Sequence, residues 1–188
     1  YEPPPNEMAF PFNIRLGLSG WNLLFLDRTK WEPDPDHDDE WNRGAYLVEG
    51  LGHCGSCHTP RNLLGAEKTG ADAYGGGLAE GWVAPAINQE STGLIPWTQL
   101  DLVYYLMDGW SEYHGLAGGP MTPIVNHLYE QSEDDAFAIA KYIETISGGP
   151  RTPEEMEARI TEAMAFAEPR EWGHPDSQTI LGDAVMDA

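Results

Sequence analysis

Two thiols and an imidazole stand within five consecutive residues, Cys54-Gly55-Ser56-Cys57-His58, in a chain of 188 residues with no other cysteine. Thiols three positions apart on one turn of chain can each add across a vinyl group of a porphyrin, and a histidine immediately after them then lies under the iron. C-x-x-C-H is the attachment pattern of a c-type haem for that reason. Other chemistry is conceivable for the same residues. A closed zinc site needs four Cys or His ligands, and His53 alone does not supply the missing pair. A dithiol redox pair would want a strand-to-helix junction within a βαβ pattern, and the β-branched runs of such a sheet are missing. A disulfide would close a very small loop and add little stability. The expected cofactor is therefore one covalent haem c, bound through Cys54 and Cys57 with His58 as proximal ligand.

The opposite face of the iron separates electron carriers from gas binders and catalysts. Six methionines compete for it. Met107, Met156 and Met164 belong to apolar helical patterns, and Met8 and Met186 lie in the terminal arms. Met121 stands in a Gly-Pro-rich stretch, Gly118-Gly119-Pro120-Met121, where a loop between helices can swing a thioether over the iron. His53, His114 and His127 stay open as alternatives. Met ligation raises the reduction potential and suits a carrier near the oxidising end of a respiratory chain.

These residues need helices to hold them. Residues 39–51 read as a helix with Trp41, Tyr46, Leu47 and Val48 on its apolar side, and Gly44 within it points to a close packing contact. Residues 59–96 and 109–123 are rich in Gly and Pro and read as loops, long for a compact domain unless a body the size of a haem lies beside them. A second helix is predicted over residues 100–107, ended by Gly109. A third runs over 132–147, with Ser132 as N-cap, Asp134 and Asp135 at its positive end, and Phe137, Ala140, Ile143 and Ile146 at helical spacing. Residues 1–38 form a Pro-rich arm with a short apolar helical stretch over 16–26, a candidate interface. Beyond the 39–149 domain, an acidic tail over 150–188 begins a helix at Thr152-Pro153-Glu154-Glu155 with a capping box and ends it near 168–169.

Acidic residues outnumber basic ones 31 to 10, for a formal charge of -21. Nucleic acid and anionic lipid are poor partners for such a surface, which serves either solvation or docking to basic proteins. No run of about 18 apolar residues could span a bilayer. The chain starts at Tyr1 with no basic and apolar leader, so an export signal is expected to have been removed or to lie outside this chain.

The stretch from Trp41 through the C-x-x-C-H to Thr59-Pro60-Arg61-Asn62, then Gly81-Trp82-Val83-Ala84-Pro85-Ala86, Gly118-Gly119-Pro120-Met121 and the helix over 135–146, resembles class I cytochrome c. More narrowly, residues 10–148 resemble the middle haem domain of the cytochrome c subunits of bacterial membrane-bound alcohol and gluconate dehydrogenases. Those subunits carry three such motifs; this chain has one and an acidic tail in place of a further haem domain. The resemblance implies an all-α fold with three main helices around the haem and a periplasmic location. Thioethers would form at Cys54 and Cys57, with His58 and Met121 as axial ligands. It also implies that the Pro60 carbonyl accepts the His58 Nδ1 hydrogen bond, that Arg61 and Trp82 lie near the propionates or the haem edge, and that Gly44 lets the first and third helices cross closely.

The expected function is single-electron transfer between redox proteins, a dehydrogenase or respiratory complex and a downstream acceptor, with no substrate transformed by the chain itself. Two rivals stand beside it. One is a haem-bearing adaptor subunit clamped into a larger complex by its arm and tail. The other is a haem enzyme or gas sensor with an open sixth site.

Overall fold

Asp38 opens the first element of the core by accepting a hydrogen bond from the Trp41 N–H at 2.9 Å, which makes it the N-cap of helix α2 (Asp39–Tyr46). The computed structural model describes residues 7–11, 13–149 and 151–166. Before α2 lies α1 (Arg15–Phe25), and after it come a π-helical turn (Leu47–Leu51), the single turn α3 (Gly55–His58), α4 (Gln99–Asp108), α5 (Met121–Leu128), α6 (Glu133–Ile146) and α7 (Pro153–Phe166). Two antiparallel ribbons interrupt the loops, β1 (Gly77–Ala79) with β2 (Trp82–Ala84) and β3 (Trp110–Ser111) with β4 (Gly115–Leu116). The molecule is thus mostly helical, with ribbons too short to show as alternating runs in the sequence.

The core is built where α2 and α4 both pack on α6. Ala45 and Val48 meet Leu102, Leu106, Ala136, Ile139, Ala140 and Ile143 there. Each large aliphatic side chain withdrawn from water in this way contributes about 1.5–3 kcal/mol. Gly44 faces the Ala138 carbonyl across the crossing, so a Cβ at that position would overlap α6 backbone and would also stand 3.0 Å from the Tyr142 Cβ. The glycine expected to mark a close packing contact does mark one. Polar contacts fasten the same crossing: the Arg43 guanidinium bonds both Asp135 oxygens at 2.7 and 3.0 Å, and Lys141 Nζ donates to Asp38 and Glu40 at 2.6 and 2.7 Å. Asp38 is itself the α2 cap, so one lysine ties the start of α2 to the middle of α6.

Helix ends follow local chemistry. Thr98 caps α4, Gly109 closes it in the left-handed conformation at φ 74°, and Ser132 caps α6 through the Asp135 N–H. At α7 the Thr152 N–H donates to the Glu155 carboxylate at 2.9 Å while the Glu155 N–H donates to Thr152 Oγ1 at 3.2 Å, the reciprocal pair of a capping box. The expected end of this helix near 168–169 and the tail over 169–188 lie outside the described residues. α5 departs from the loop expected over residues 109–123. Pro123 stands in its first turn, where backbone N–H groups have no intrahelical partner to lose, so the proline does not break it. None of the helices is long and apolar enough to cross a membrane among the described residues.

Candidate haem site

Val48 anchors the attachment turn. The Cys54 N–H donates to its carbonyl at 3.1 Å, and the chain then winds into α3, with the His58 N–H donating to the Cys54 carbonyl at 3.0 Å. Cys54 is half-buried, Cys57 is exposed, and both are free thiols. Burial, with a smaller contribution from the Glu49 charge, pushes the Cys54 thiol up to about 11.

Behind α3 the chain returns as the Gly75-Gly76-Gly77 stretch. The Gly76 N–H donates to the His58 carbonyl at 2.8 Å, and a Cβ on Gly77 would collide with the Cys57 carbonyl. Gly76, at φ 88°, also passes so near the end of β2 that a Cβ would stand 3.1 Å from the Ala84 carbonyl oxygen. Pro85 is brought under the imidazole by this double approach, and its carbonyl accepts from His58 Nδ1 at 2.8 Å. The expectation of Pro60 in that role is corrected here. Pro60 points its carbonyl the other way, accepting the Lys68 N–H at 2.9 Å, in a stretch where Arg61 bridges to Glu67. A carbonyl can only accept, so Nδ1 carries the proton and Nε2 keeps its lone pair for a metal.

Arg61 braces the attachment turn from outside. Its guanidinium donates to the Ser56 carbonyl at 3.0 Å, to the Gly65 carbonyl at 2.8 Å and to Glu67 at 3.4 Å, while Glu67 also accepts from Ser56 Oγ at 3.2 Å. Trp82, at the start of β2, meets the chain that precedes α5. Its indole rests on Gly119, where a Cβ would stand 2.5 Å from Cδ2, and Gly119 adopts φ 53°. Trp82 thus seats the Gly118-Gly119-Pro120 segment that delivers Met121. That methionine is the first residue of α5, half-buried and packed against the core cluster.

The histidine alternatives differ. His114 is committed on both nitrogens: Nε2 donates to the Ile95 carbonyl at 3.0 Å and Nδ1 pairs with Ser111 Oγ at 3.1 Å, with the ring stacked on Trp97 at 3.4 Å. Burial lowers its pKa. Among the described residues no group of three or more His, Cys, Asp or Glu side chains converges as a metal cage would require, so the zinc reading finds no ligand set. The donors that do stand ready, two thiols on one turn and an imidazole with its tautomer set by Pro85, fit a covalent haem. Sequence reasoning missed Pro85 and the Gly119 seat of Trp82, although the triple glycine at 75–77 was a signal of close backbone approach.

No protein-family model matches the chain. It is 49% identical over 150 residues to a nicotinate dehydrogenase subunit of Pseudomonas putida, an alignment covering 80% of this chain and 13% of that protein. It is 38% identical over 150 residues to a diheme cytochrome c-type protein of Cereibacter sphaeroides, covering 76% and 47%. Over 186 residues it is 34% identical to the gluconate 2-dehydrogenase cytochrome c subunit of Pantoea cypripedii, covering 93% and 40%. The chain therefore resembles cytochrome c subunits of bacterial dehydrogenases and spans less than half the length of these relatives.

Proposed function

We propose that the chain is an electron-transfer unit carrying one haem c, joined through Cys54 and Cys57 and ligated by His58 and Met121. The observation that carries this reading is the 2.8 Å bond from His58 Nδ1 to the Pro85 carbonyl, which leaves Nε2 as the free ligand atom directly after two unpaired thiols. A bound haem supplies a one-electron Fe(III)/Fe(II) couple. The protein's own residues orient the imidazole, brace the attachment turn through Arg61 and Glu67, and seat the Met121 segment on Trp82. With its sixth position filled by a thioether the unit carries electrons and transforms no substrate.

Its partners are redox proteins, a dehydrogenase or respiratory complex on one side and a downstream acceptor on the other, on the periplasmic face of the membrane. The resemblance to dehydrogenase cytochrome subunits supports this placement, as does α1, whose Leu16, Leu23 and Leu24 are 81%, 81% and 70% exposed. An apolar helix face of this kind suits a unit held within a larger assembly. The helix touches the rest of the molecule beside the site, where Trp21 Nε1 donates to the Leu64 carbonyl at 2.9 Å.

The test is optical. A pyridine haemochrome assay should return one haem c per chain, and Met121→Ala should abolish the weak far-red band of Met-ligated ferric haem. Survival of the band, or rapid carbon monoxide binding to the reduced wild type without ligand displacement, would assign the sixth site elsewhere.

A further inference from the structure

Glu49 lies on the π-helical turn just before the attachment motif, and neither attachment nor ligation uses it. Its carboxylate accepts from one phenol and acts through its charge on a second, both from distant parts of the chain. Tyr142 Oη, from α6, donates to Glu49 Oε1 at 2.5 Å, and the Glu49 charge acts on Tyr74, from the loop before β1. Both tyrosines are core residues, 8% and 7% exposed. Burial first, and the adjoining Glu49 carboxylate second, raise both phenols above the usual tyrosine range, so they remain donors at any physiological pH. The permanent Tyr142 donor fixes one oxygen of Glu49, an otherwise exposed residue.

The place where Tyr142 holds it is the turn just before the motif. Cys54 hangs from the same turn through its bond to the Val48 carbonyl, and the Glu49 charge acts on the Cys54 sulfur. Tyr74 borders the next residue, its Cε1 3.7 Å from where a Cβ on Gly55 would stand. Glu67, a carboxylate that packs against the attachment turn from the following loop, is paired with Arg61.

We propose that Glu49, held by Tyr142, places a negative charge that lowers the reduction potential of the haem joined at Cys54. This rests on the haem reading given above. One electron from a reduced protein donor converts Fe(III) to Fe(II) with no bond or proton moving. A nearby negative charge stabilises the more positive ferric state and so opposes that step.

The experiment is a spectroelectrochemical titration of the haem-loaded chain in four forms: wild type, Glu49→Gln, Tyr142→Phe, and Glu90→Gln as an exposed carboxylate outside this cluster. Glu49→Gln should raise the midpoint potential above the wild type by more than Glu90→Gln does, and Tyr142→Phe, which keeps the charge but removes the donor that holds it, should raise it less. A readout independent of the iron accompanies this: ultraviolet difference titration should show buried phenols ionising at lower pH in Glu49→Gln. A haem-loaded Glu49→Gln whose potential matches Glu90→Gln overturns this inference alone. Absence of haemochrome in the wild type overturns the attachment reading, and this inference with it.

Discussion

Cys54 and Cys57 carry the same functional group in different surroundings, and the difference is measurable before any cofactor is attached. The thiolate is the reactive species, and at pH 8 a thiol pushed up to about 11 is ionised in roughly one molecule per thousand. In the folded haem-free chain, iodoacetamide should therefore label exposed Cys57 roughly tenfold or more faster than Cys54, with the Cys54 rate climbing until about pH 11. Mass spectrometry of the labelled peptide checks this; equal rates at pH 8 would mean that Cys54 is not shielded. His114 makes a second prediction at this scale. Its folded-state pKa lies below the ordinary imidazole value because it is buried against Trp97, so the unfolded chain binds that proton more readily. The corresponding stability is fully present above the unfolded value of about 6.5 and is lost as pH falls below it. Urea midpoints measured from pH 8 to pH 5 should fall less steeply in His114→Phe than in wild type.

Helices α2, α4 and α6 were legible because their signals are local. A cap at Ser132, a closing Gly109 and apolar residues at helical spacing all lie within the segments they define, whereas the Thr98 cap of α4 came only from the structure. Gly44 was legible too, as a costly residue inside a helix that only a close contact would justify. Replacing it with valine drives a side chain into the Ala138 carbonyl and Tyr142, and should destabilise the chain by about 1–3 kcal/mol or more, as overpacking does. Thermal unfolding of the haem-loaded variant measures it, and an unchanged melting temperature would show that the two helices can part at no cost. α5 was not legible, since Pro123 reads as a breaker unless its place in the first turn is known. Nor was the choice between Pro60 and Pro85. The two sit 25 residues apart, and what selects Pro85 is the stacking of three backbone segments at Gly76 and Gly77.

At the scale of the whole molecule the governing quantity is a formal charge of -21. Like charges at this density repel in the folded state more than in the expanded one, and salt screens them, shrinking the Debye length from about 30 Å at 0.01 M to about 3 Å at 1 M. The urea midpoint should therefore rise with sodium chloride across that range, although ion pairs such as Arg43–Asp135 and Lys141–Asp38 weaken. Electron transfer to a basic acceptor protein should slow over the same range. A flat rate would assign the acidity to solvation and not to docking.

The sequence by itself pointed to covalent haem attachment and determined the single C-x-x-C-H, the three core helices and the acidity, because each is written in residue types at short spacing. Tertiary structure decided which carbonyl orients His58, that Arg61 braces its own turn, that Trp82 seats the segment before Met121, and that Glu49 accepts from Tyr142. All but the short-range Arg61 brace join residues far apart along the chain. Contacts of that kind have no period and no motif. They exist only once α6 has closed against α2 and the glycine loops have folded behind the attachment turn.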